Sequence, residues 1–178
     1  MDIQTILIVI GRQERPFEKG KNEHLNLTET NLDGADLAGA IMAGAHLRYA
    51  QLDKAQLENA IFPRANLEES DLFGANLEGA NLVDTNMEGA ILDDAPLNEV
   101  HLEDADLEGA QLEGVILTGT HLDRTELAAA GLENCVGLTQ GQINSAYGNE
   151  YTARPSGIVM PESWKQTTAT PTGAPESP

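Results

Sequence analysis

The sequence predicts an all-β solenoid, and three observations predict it. Every fifth residue from Leu27 to Leu132 is large and apolar, Leu throughout except Met42, Phe62 and Met87. Two residues before all these 22 centres but the first, which Leu25 precedes, stands a smaller side chain, Ala at fourteen of them. Two residues after the centre Gly is frequent, as at Gly34, Gly39, Gly74, Gly109 and Gly119. An α-helix cannot use this period, because steps of five advance roughly 500° and scatter the leucines around the barrel. A flat strand fails too, since a step of five lands on the opposite face. The chain must turn within every unit to keep all centres on one side. Gly after the centre tolerates the positive φ that tight turns often need.

The elements follow in chain order. Residues 1–25 read as an N-terminal cap and lead-in, in which Ile3, Ile6, Leu7 and Ile10 form one stripe of a short helix over 2–11 that ends at Gly11. Residues 26–135 are the repeat, with Leu and Ala filling a narrow interior. A stack of such units has two open ends that need covering. After Cys135 the period is lost. Thr139 and Gln142 fit a capping box that opens a second short helix, carrying Ile143, Ala146 and Tyr147 and ending by Gly148, so 136–148 is expected as a C-terminal capping helix. The remainder, 149–178, is expected as an extended Pro/Gly segment reaching Trp164 and then a disordered Thr/Pro/Ser-rich stretch over 166–178.

Units such as Ala35-Asp36-Leu37-Ala38-Gly39 and Ala75-Asn76-Leu77-Glu78-Gly79 resemble the A[D/N]LxG units of the pentapeptide-repeat family. The resemblance implies a right-handed quadrilateral β-helix of about 22 units, four to a coil. The opening stretch also looks like a segment that precedes the repeat in larger multidomain bacterial proteins. The segment from Leu138 to Trp164 looks like the helix and extended tail with which family members often end. Some relatives protect or inhibit DNA gyrase by presenting an acidic rod, so the resemblance makes DNA mimicry the alternative to a plain protein-interaction scaffold.

Charge narrows the function classes. The formal net charge is −19, and residues 26–135 carry 22 Asp and Glu against four Lys and Arg. Such a surface repels nucleic acid and anionic membranes, so neither is expected as a direct partner. Cys135 is the only cysteine, so no internal disulfide is expected, and its place at the end of the repeat suits packing rather than reaction. The early apolar run Ile6–Ile10 is too short for a signal-peptide core, so a cytoplasmic protein is expected, and the resemblance implies a bacterial one. No nucleophile–base, metalloprotease or phosphate-loop motif stands in the sequence, so no catalytic residue and no cofactor are expected.

Candidate binding residues come from reading the repeat every 20 residues. One column, just before the centres, runs Ile41, Ile61, Asn81, His101, His121. Exposed Ile41 and Ile61, with Ala43, Pro63 and Val83 alongside, form an apolar strip suited to protein contact. His101 and His121, with Glu103 and Asp123 nearby, are a weak metal candidate, because a structural zinc site wants four ligands. On another face the position after the centre runs Asp33, Asp53, Phe73, Asp93, Glu113, Glu133, an acidic ladder. Such a ladder could imitate the spaced charges of a DNA backbone, but a solvated face that keeps the rod soluble is the commoner origin of a charge run. The reading as a whole is a non-catalytic acidic scaffold for a protein partner, monomeric or weakly dimeric end to end.

Overall fold

The computed structural model describes residues 25–165. The helix expected over 2–11 and the disordered segment expected over 166–178 lie outside these residues. Parallel backbone bridges join residues 20 apart along the repeat: Asn26 to His46, Asn31 to Gln51, Asp36 to Gln56, Ile41 to Ile61, and onward to Ile116 with Val136. Four units therefore close one coil and give it four sides. Each unit contributes a single bridging residue before it turns, so among the described residues no strand exceeds one bridging position. The sheet character predicted from the sequence is a ladder of isolated bridges, because a chain that turns every five residues has no room for longer strands.

The turn is the same in every unit from Leu27 to Leu127. The N–H three residues after a centre bonds back to the centre's carbonyl, as from Ala55 to Leu52 at 3.0 Å. The residue two after the centre has positive φ in all units from Glu29 to Asn134, including thirteen that are not glycine. Since the residue before it does not, these are turns of type II character. The stacking register imposes the left-handed conformation even on Tyr49, Lys54 and Ala129, where a Cβ makes it unfavourable by roughly 1 kcal/mol or more.

Four of the five N–H groups in a unit are met by backbone. Around Leu52, Gln51 donates to Thr30 of the previous coil (3.0 Å), Leu52 to Asp71 (2.7 Å) and Lys54 to Phe73 (2.9 Å) of the next, and Ala55 closes the turn. The fifth N–H, just after the centre, has no backbone partner. An Asn or Asp before the centre accepts it: Asn66 from Glu68 (2.9 Å), Asp71 from Phe73 (3.1 Å), Asn86 from Glu88 (3.0 Å), Asp106 from Glu108 (3.0 Å). This is why Asp and Asn recur in the motif, at a position that otherwise faces water.

Every centre from Leu32 to Leu132 is at most 3% exposed, and the small residues line the same interior. Where Ser or Thr replaces Ala, the hydroxyl is satisfied inside: Ser70 donates to Leu67 (2.7 Å), Thr120 to Leu97 (2.6 Å) and Thr125 to Leu102 (2.7 Å).

Beyond Cys135 the sequence period ends but the pairing does not. Helix α1 spans Gln140–Ser145, shorter than expected, with Thr139 and Gln142 forming the capping box. The Gln142 amide donates to the carbonyls of Leu117 (2.9 Å) and Thr120 (2.8 Å), standing in for the coil that is missing there. Chain then resumes the ladder with Glu126 bridged to Tyr147 and Gly131 to Ala153, offsets one and two residues longer than in the rod. Tyr147 is thus not on the helix, and it is half exposed while Ile143 and Ala146 are buried. Trp164, in a 3-10 turn over Glu162–Trp164, is 3% exposed and donates its indole N–H to Ala146 at 3.2 Å. A Cβ on Gly148 would lie 2.7 Å from that ring, so Gly148 is there for the tryptophan rather than to stop the helix. No helix among the described residues is long and apolar enough to cross a membrane.

Candidate interaction surface

The columns read from the sequence are built as ladders, and the coil geometry separates them. The Asn31 unit and the Ile41 unit stand two apart in a coil of four, so the acidic ladder and the apolar strip lie on opposite sides of the rod. Ile41 and Ile61 are bridged neighbours, 44% and 36% exposed. Pro63 and Ala43 border a shallow groove with Gly44, His46 and Arg64 at the other side. One flat partner cannot cover this strip and the acidic ladder together.

The acidic ladder is partly structural. Gln51 and Gln111 precede their centres where Asn or Asp would serve the turn. Instead the carboxylate one coil back accepts the orphan N–H: Asp33 from Asp53 (3.0 Å) and Asp93 from Glu113 (2.6 Å). Lys54 pairs with Asp53 at 3.0 Å, and its ammonium lies 5.6 Å from the centre of the Phe73 ring that interrupts the ladder. Toward the C-terminal end no Lys or Arg among the described residues pairs with Asp93, Glu113 or Glu133. These three wall a shallow depression over Gly131, whose missing side chain leaves a notch in the column.

On the Ile41 side the column ends in His101 and His121. Their rings are stacked with centroids 4.6 Å apart and 4° between planes. Both Nδ1 atoms face Oε1 of Glu103, at 3.1 and 4.0 Å. Asp123 is exposed beside them.

Sequence reasoning missed a further pair. Arg124 and Asp104, one coil apart and both with positive φ, make a two-point contact, Nε to Oδ1 and Nη2 to Oδ2, each at 2.6 Å. The guanidinium hydrogen bond holds the Asp104 carboxyl below its ordinary pKa. Opposite charges at matching places 20 residues apart were the available signal. Cys135 is half-buried with its thiol against the Leu112 carbonyl (3.2 Å), and desolvation, followed by the charge of Glu133, pushes it up to about 12.

The repeat geometry meets a family match. The family model for pentapeptide repeats matches in eight copies over residues 26–64, 50–89, 80–119 and 105–135, more than half of the chain. The chain belongs to the pentapeptide repeat family. No curated protein matches it. Among solved structures, this pentapeptide repeat protein is similar to one from the thylakoid lumen of Arabidopsis thaliana, at 20% identity over 67% of this chain and 69% of that one, TM-score 0.43. It is similar also to HetL of the cyanobacterium Nostoc, involved in heterocyst differentiation regulation, at 26% identity over 78% and 77%, TM-score 0.36. A trypsin-treated variant of QnrB1, a plasmid-mediated fluoroquinolone resistance protein, aligns at 16% identity over 79% and 84%, TM-score 0.43. All three TM-scores are below 0.5, so the family assignment rests on the repeat itself.

Proposed function

We propose that this pentapeptide repeat protein is a non-catalytic interaction scaffold whose acidic side receives a protein with a basic surface. The observation that carries the reading is the run Asp93, Glu113 and Glu133, three carboxylates on successive coils around the Gly131 notch, with no Lys or Arg pairing them among the described residues. Like charges so placed repel, and a partner's Lys or Arg relieves that repulsion on binding. The rod's backbone ladder holds them in place beforehand, so little ordering is needed when a partner arrives.

A photo-crosslinker at Gln111, beside the notch, should capture a discrete partner in the presence of the source cell's proteins. Asp93→Asn, Glu113→Gln and Glu133→Gln together should abolish that capture without lowering stability. Equal capture by the triple variant, or from a crosslinker at Gln56 on the adjoining side, would end the reading.

DNA mimicry is the second reading, favoured by the same column of fixed like charges. It requires that the wild type alter supercoiling by DNA gyrase and that the neutralised triple variant not do so. An unaffected gyrase leaves the scaffold reading with a different basic partner.

A further inference from the structure

We infer that His101, His121 and Glu103 form a surface site for a divalent first-row transition metal of the zinc type, with Nδ1 of both imidazoles and the Glu103 carboxylate as ligands. The inference stands apart from the acidic-side binding proposed above, since this cluster lies on the opposite side of the rod.

The backbone puts the three groups together. His101 and His121 are bridged residues of adjacent coils, tied through Leu102 N–H to the His121 carbonyl at 3.0 Å. Neither ring position depends on a flexible loop. The rings lie parallel at 4.6 Å, and both present Nδ1 to the same carboxylate rather than one turning away. All three ligand atoms lie within 4.8 Å of one another. Metal–ligand bonds of about 2.0–2.2 Å place two ligands of a tetrahedral ion roughly 3.4 Å apart. The ring planes are 4° apart, so binding re-aims the imidazoles about χ1 and χ2 until both Nδ1 lone pairs meet at one ion.

Glu103 supplies the second reason. Its side chain is only 24% exposed, and its Oε2 is buried with no hydrogen-bond partner. A carboxylate partly withdrawn from water with one oxygen lacking a donor is costly, and a cation bound at Oε1, the oxygen that faces the imidazoles, offsets that cost by balancing the charge. The same residue ties the two imidazoles together: among the described residues it is the carboxylate that pairs with both Nδ1 atoms.

The donor set decides the class of ion. Two imidazoles and one carboxylate suit zinc, copper or nickel, whereas magnesium and calcium take oxygen ligands. Three protein ligands leave coordination positions open to water or to a group from another molecule. The rings are about half exposed, 46% and 50%, so an ion has direct access from solvent. The strongly negative rod raises the cation concentration at its surface.

The test is Zn²⁺ titration of the untagged, chelator-treated full chain, followed by calorimetry in excess Mg²⁺ and by the ring signals of its four histidines in NMR spectra. One ion should bind per chain, with the signals of His101 and His121 shifting while those of His24 and His46 stay. Glu103→Gln should weaken binding at least tenfold, and His101→Ala or His121→Ala more. The two histidines are on the surface and Glu103 is partly buried, so circular dichroism verifies that each variant keeps the fold. Failure to bind Zn²⁺ below millimolar concentration overturns the site. So does binding that the double variant His101→Ala/His121→Ala retains, which would assign the ion to the general acidic surface.

Discussion

The rod and its C-terminal end solve the same problem in different ways. Within the rod each coil finds the next one 20 residues on, and backbone groups satisfy nearly everything. At the end there is no further repeat, so individual side chains replace the missing coil. Gln142 caps the Leu117 and Thr120 carbonyls, Thr152 donates inward to Leu127 at 2.7 Å, and Trp164 closes the apolar interior. A repeat tolerates exchange of one unit for another, whereas the end depends on a few particular residues. The contrast is between many equivalent weak contacts and a handful of specific ones.

The largest test of the contrast removes the lid. Trp164→Ala should cost about 3–5 kcal/mol and should release the end first. Hydrogen exchange should then show lost protection at the Tyr147 and Ala153 amides with the Leu77 amide unchanged. Uniform loss along the chain would mean that rod and end unfold as one unit.

Inside the rod, overpacking comes next. Ala75 is fully buried, so Ala75→Leu should destabilise by ~1–3 kcal/mol in a denaturant titration. Glu78→Leu on the surface should change stability little. Equal effects would contradict the inward and outward assignments.

A matched pair isolates the turn. Gly109 has φ of +66° with nothing within 4 Å of an added Cβ, so Gly109→Ala meets strain alone and should cost about 1 kcal/mol. Ala129 has φ of 56° in the same place of its own unit, and Ala129→Gly should gain up to about 1 kcal/mol. Melting temperatures shifted in the same direction by both would show that the turn is not shared.

The smallest effect is electrostatic. Burial, then the charges of Asp106 and Glu108, raise the Glu126 pKa. A carboxyl whose folded pKa is raised favours the native state at low pH and loses that advantage as pH rises through the folded value. Glu126→Gln should therefore stabilise at neutral pH, by about a few tenths of a kcal/mol given its exposure, and the gain should vanish in acid. A gain that persists at low pH would assign the effect to something other than charge.

The sequence by itself determined the solenoid and its inward Leu and Ala, because a strict five-residue period needs a turn in every unit to keep all the large residues on one side; the stacking of residues 20 apart was implied by the family resemblance and is set by the backbone bridges. Ile41 with Ile61, His101 with His121, and the acidic ladder could all be read as columns once the resemblance set four units to a coil. Tertiary structure alone decided which N–H each unit leaves open, and so that Asn and Asp before the centre, and Asp33 and Asp93 from a neighbouring coil, are hydrogen-bond acceptors rather than mere surface charge. It also decided that the ladder continues to Ala153 after the period has ended. Inserted residues destroy a pattern in the sequence, but a backbone can absorb them in a helix such as α1 and still pair on the far side. The facing of both imidazoles onto Glu103 likewise depends on side-chain rotation, which spacing along the chain does not encode.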